Sequence, residues 1–162
     1  MSRLTHLLDC VAEVLGRSIA WLTLAMVIAT VVVVVLRYGF DTGAIALQES
    51  VTYMHACVFM LGIPYALKHG AHVRVDIIYA RLSARRKAMI DLTGHLIFLV
   101  PVAALVLVTS LDYVSAAWRV REASPEVGGI PAVYLLKTLI PIMATMLLLQ
   151  GVAEIARILS RR

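Results

Sequence analysis

Residues 19–36 read IAWLTLAMVIATVVVVVL, eighteen positions without an aspartate, glutamate, lysine or arginine. A helix rising about 1.5 Å per residue crosses a hydrocarbon core of about 30 Å in that length. The run is apolar all round rather than along one stripe, which is the pattern of a helix solvated by lipid. Three further stretches read the same way. Ser50–Leu67 and Leu92–Leu111 contain no charged residue, and Ile130–Ala153 is interrupted only by Lys137 near its start. Of the 162 residues, 61% are hydrophobic, too many for a soluble domain that must alternate apolar and charged positions. The expected fold is all-α: a single four-helix membrane domain over residues 1–162, with transmembrane helices at about 16–37, 48–67, 90–111 and 130–153.

Lysine and arginine are distributed unevenly around these runs. Eleven lie in the N-terminal tail, the middle loop Lys68–Asp91 and the C-terminal tail, against three in the first and third loops. Cytoplasmic loops retain positive charge, so both termini and the middle loop are expected in the cytoplasm. The net charge of +5 is then a topological signal, and no nucleic-acid partner is implied. The first run continues straight into Leu36-Arg37-Tyr38 without a cleavage site, so it reads as a retained signal anchor. Cys10 and Cys57 fall at different depths, which argues against a disulfide.

The middle loop is longer than a tight helical hairpin needs. From Val73 the apolar residues Val75, Ile78 and Leu82 recur three and four apart, with Arg74, Arg81 and Arg85 on other faces. That spacing predicts an amphipathic interfacial arm over about 72–87. Its candidates for phospholipid contact are His72, Arg74, Asp76, Arg81, Arg85, Arg86 and Lys87. The plainer alternative makes Arg85-Arg86-Lys87 the positive flank of helix three, and Asp76 an N-cap or a partner of Arg74.

Charged and amide side chains near the spans are the candidates for partner contact. Arg37 ends the first span, Gln48 and Glu49 open the second, and Lys137 lies about two turns into the fourth. An unpaired charge in lipid is costly, which suggests that Glu49 meets Arg37 or Lys137, within the bundle or across a subunit contact; the alternative is that both cations snorkel to the headgroups. Gln150, Glu154 and Arg157 share one face of helix four and form either a seam to another helix or a local Glu154–Arg157 pair. Gly62 and Gly94 are candidates for close helix packing. Pro64, Pro101 and Pro141 fall inside spans and should disturb them.

His55 and His95 raise the possibility of a redox-enzyme membrane anchor holding haem or quinone. Haem ligation needs two facing imidazoles at matched depth. Their positions in antiparallel runs place them at different depths. Sequence motifs of metalloprotease, nucleotide-binding or nucleophile-elbow type are absent, so the chain does not read as an enzyme and implies no cofactor.

Several short motifs occur in a characteristic order. They are Arg37-Tyr38, Gln48-Glu49, Gly62-Ile63-Pro64-Tyr65-Ala66-Leu67-Lys68-His69-Gly70 continuing through His72-Val73-Arg74-Val75-Asp76, Gly129-Ile130-Pro131, Leu136-Lys137-Thr138-Leu139-Ile140-Pro141, and Leu149-Gln150-Gly151. In this order and on a four-span frame, the chain resembles the small permease subunit (DctQ-like) of tripartite ATP-independent periplasmic (TRAP) transporters over nearly its whole length. The resemblance implies a noncatalytic scaffold for a large, DctM-like elevator permease that carries the substrate and sodium sites of an ion-gradient-driven symport. It also implies a periplasmic substrate-binding protein docking near residues 37–49 and 112–129. The glycine-glycine-isoleucine-proline pattern is more similar to the 2-oxo or 2-hydroxy monocarboxylate branch than to the C4-dicarboxylate or sialic acid branches.

Overall fold

A computed structural model of the chain describes residues 3–71 and 79–160. Four helices make up most of it: α1 (Arg3–Gly39), α2 (Ile45–Lys68), α3 (Ala84–Arg119) and α4 (Val133–Ser160). Each is long and apolar enough to cross a membrane, and no strand occurs among the described residues. The all-helical four-span fold expected from the apolar runs is therefore the observed one.

The helices overrun those runs, because a turn standing in water satisfies its backbone bonds as well as one in lipid. One consequence concerns the last residues of the expected arm. Arg85, Arg86 and Lys87 lie in the first turn of α3, which opens at Ala84 after an extended Ser83. Arginine, lysine and alanine are all good helix formers, so the helix runs back past the apolar segment. Arg81 sits in the preceding turn. His72, Arg74 and Asp76, with Val73, Val75 and Ile78, lie outside the described residues.

Helix ends are closed by backbone geometry that the sequence encodes locally. Gly70 adopts a positive φ of 61° after α2, and the amides of Gly70 and Ala71 turn back onto the carbonyls of Leu67 and Ala66. The same Schellman arrangement ends α3, where Arg121 takes φ 46° and the Arg121 and Glu122 amides bond Trp118 and Ala117. A non-glycine residue in that conformation carries some strain. Its effect is to deliver Glu122 back toward α4.

Packing follows the order α1, α2, α4, α3. α1 lies along α2, α2 along α4, and α4 along α3, with only a slight contact between α1 and α4. α4 is the most buried helix, and the flanking helices expose long apolar faces, among them Val27, Val31 and Val34 on α1 and Ile97, Phe98, Leu105 and Val108 on α3.

The closest approaches are made at glycines other than those the sequence singled out. The Tyr65 ring of α2 lies directly over Gly16 of α1, and Leu99 of α3 lies against Gly151 of α4. Gly62 makes ordinary contact with Ile19, and a side chain at Gly94 would meet open space. Facing partners, invisible in a single helix, decide which glycine is needed. Substituting Gly16→Val would drive two methyl groups into the Tyr65 ring, which also meets the His69 ring at a tilt, 4.4 Å between centres. Overpacking of this kind costs about 1–3 kcal/mol. The expected outcome is a lower midpoint of thermal unfolding in detergent, with Gly62→Ala, whose methyl meets Ile19 at an ordinary 3.7 Å, close to wild type.

Pro101 disturbs α3 in a specific way. Proline lacks the N–H that would bond the carbonyl four residues back, and its ring collides with that carbonyl. α3 absorbs this with a π-helical turn at His95–Leu99, where the Val100 amide reaches the His95 carbonyl five residues back. The wider turn carries Leu99 to its seat against Gly151.

Candidate functional site

Polar side chains gather at the two ends of the row of helices, leaving its middle apolar. At the end where α1 begins and α2 and α4 finish, Glu13 is the hub. It accepts hydrogen bonds from Lys68 Nζ at 2.7 Å and from Arg17 Nε at 2.9 Å, and lies 2.9 Å from His69 Nε2. Lys68 also donates to the Asp9 carbonyl at 3.0 Å. One turn along α1, the Asp9 carboxylate meets Arg157, which bridges to Glu154 on its own helix. Gln150, only 2% exposed, donates to Asp9 at 3.3 Å and to Glu154 at 3.4 Å.

On this face of α4 a local Glu154–Arg157 pair forms, and Gln150 and Arg157 also reach Asp9 of α1. Asp9 and Glu13 do not stand out in the sequence, because their partners on other helices are more than fifty residues away. The available signal was the spacing Asp9, Glu13, Arg17, three charged residues at four-residue intervals on one helical face.

At the opposite end Glu49 pairs, within this chain, with neither Arg37 nor Lys137. Glu49 accepts from the Ser124 hydroxyl and, at 2.6 Å, from the Ile130 amide. It therefore fastens the loop 120–132 to the start of α2. The loop backbone passes so close that a side chain at Gly129 would collide with both Ser124 and Glu49. Gly128, at φ 80°, makes the turn that brings it there.

Lys137 pairs instead with Glu122, at 2.7 and 2.5 Å, and places its ammonium 4.1 Å from the centre of the Tyr113 ring. The Schellman turn at Arg121 made this partner available. Beside it Trp118 Nε1 donates to Thr138 at 2.9 Å and the Trp118 ring meets Tyr134 edge-on at 4.7 Å. Arg37 is exposed and has no ion pair among the described residues; with Gln48, Glu49 and Glu126 it lines a cavity of about 370 Å³. The sequence thus located four of this end's polar groups and missed Glu122, Ser124 and Glu126.

The two intramembrane histidines are held apart. His55 stacks on Phe59 of α2, 6.3 Å between ring centres, and His95 Nδ1–H donates to the Asp91 carbonyl within α3 at 2.5 Å. α4 packs against both α2 and α3.

Among known families, the model described as tripartite ATP-independent periplasmic transporters, DctQ component, matches residues 26–161. The match takes in Arg37, Gln48, Glu49, Lys137, Gln150 and Glu154, and leaves Asp9 and Glu13 before its start. Neither a curated protein nor a solved structure matches the chain. A noncatalytic membrane subunit is what the four spans and this match together describe: the chain belongs to the DctQ family of small TRAP transporter components.

Proposed function

We propose that the chain is the stationary scaffold of a secondary, ion-gradient-driven organic acid transporter. It enlarges the fixed part of a DctM-like permease that carries the substrate and sodium sites. The observation that supports this most is the exposed apolar midsection of α1 and α3, flanked at both ends by hydrogen-bonded charges. Such a row, rigid at its rims and apolar along its faces, suits packing against other transmembrane helices.

The lysine and arginine bias puts the Asp9–Glu13–Arg157 end in the cytoplasm. The 370 Å³ cavity and loop 120–132 then face the periplasm, where a substrate-binding protein would approach. The substrate class this reading favours is a 2-oxo or 2-hydroxy monocarboxylate, chosen by the other two components.

Uptake of a labelled organic acid into proteoliposomes tests the proposal. With large subunit, binding protein and a sodium gradient present, uptake is expected only when this chain is included. Equal uptake without it would refute the scaffold role.

A further inference from the structure

The cavity beside loop 120–132 holds opposite charges that do not pair with each other. The Arg37 guanidinium, the Gln48 amide and the Glu126 carboxylate line it without a side-chain hydrogen bond or ion pair among the described residues. The fourth polar wall is Glu49, whose two oxygens already accept from Ser124 and Ile130. Two carboxylates and one guanidinium around 370 Å³ form a zwitterionic setting with an excess of negative charge.

Depth indicates what such a setting meets. Arg37 follows the uncharged run 19–36 directly, so its guanidinium stands where hydrocarbon gives way to headgroups. Tyr38 and Phe40 beside it are 82% and 71% exposed, and Trp118 is half-exposed at the same end, the placement of interfacial aromatic rings. Thr52 lines the cavity one turn deeper on α2, and Glu126 lines it from the loop outside the helices. Passing outward, the wall therefore offers a hydroxyl, a cation with an amide, and then carboxylates.

We infer that this cavity binds one phospholipid of the phosphoethanolamine type. A phospholipid presents the matching series: ester and glycerol oxygens deepest, then phosphate, then a primary ammonium. The phosphate is received by Arg37 and Gln48, the ammonium by Glu126 with the charge of Glu49 behind it, and the acyl chains run along the exposed Val31, Val34 and Val35 of α1. A phosphoglycerol headgroup supplies no cation to two carboxylates. A choline headgroup has a cation that cannot donate a hydrogen bond. The inference rests only on the helices spanning a bilayer and is independent of the scaffold reading.

Native mass spectrometry of the full-length chain in detergent, titrated with phosphatidylethanolamine and phosphatidylglycerol of equal acyl length, tests it. Wild type is expected to retain one phosphatidylethanolamine about tenfold more tightly than phosphatidylglycerol, the scale of one charge-assisted hydrogen bond. Arg37→Gln should weaken both lipids, and Glu126→Gln should weaken phosphatidylethanolamine alone and erase the preference. Both side chains are exposed, so neither change threatens folding. Glycerophosphoethanolamine, which lacks acyl chains, should fail to displace the lipid; displacement at matched concentration would assign a soluble ligand instead. Equal retention of the two lipids by wild type, or unchanged retention in both variants, would overturn the assignment. So would an Arg37→Gln variant that keeps its lipid but loses a copurifying protein, because the cavity would then receive a protein side chain.

Discussion

Glu49→Ala is expected to free the loop 120–132 while leaving the four helices in place. In wild type that loop is held by one carboxylate, which takes the Ser124 hydroxyl and the Ile130 amide at once. Alanine removes both acceptors. Beyond the Glu122–Lys137 pair at its start, the loop then keeps only internal bonds, such as Ser124 N–H to the Ile130 carbonyl at 3.2 Å and Gly129 N–H to the Glu126 carbonyl at 3.0 Å. Local opening sets the rate at which a protease cuts a folded protein, so cleavage between Arg121 and Ile130 should accelerate by about tenfold or more. Glu49→Gln retains acceptor oxygen for one partner and should fall between the two. The helical circular dichroism signal of all three proteins should coincide. A cleavage rate unchanged by Glu49→Ala would mean that the loop is held by something other than this carboxylate.

Arg157→Met is expected to be the most damaging single change at the other end. Arg157 is the cation shared by Asp9 and Glu154, each side chain being less than one-fifth exposed. Its loss leaves two carboxylates facing each other around Gln150, a group that is itself almost fully buried. Removing one partner of a buried ion pair costs about 3–5 kcal/mol, and the partial solvation here lowers the expectation to about 2–3 kcal/mol. Thermal unfolding in detergent should show the loss. Adding Asp9→Asn to Arg157→Met removes one of the stranded charges and should restore part of it. A neutral Arg157→Met would contradict a network that ties α1 to α4.

The spans were legible because lipid imposes one simple demand, an uncharged stretch of sufficient length. The effect of proline in α3 shows where that legibility ends. Pro101 announces a disturbance of α3, yet the response, a π-turn aiming Leu99 at Gly151, depends on the neighbouring helix. Among the polar groups, Arg37, Gln48, Glu49, Lys137, Gln150 and Glu154 could be found because charge and amide are rare near a span. Their partners could not. Lys137 finds Glu122 through the left-handed turn at Arg121, and Glu49 finds a backbone amide, which leaves no trace in residue types. Gly16 was passed over for a similar reason: its role is set by the Tyr65 ring of another helix.

The central claim is that the exposed apolar faces of α1 and α3 belong in a complex with a much larger membrane protein. Purification of the tagged chain from native membranes in mild detergent, with copurifying chains identified and the visible spectrum recorded, tests it most directly. The account predicts a colourless complex with one large multispanning permease. A Soret band with soluble redox subunits, or a chain that purifies alone and stable, would contradict it.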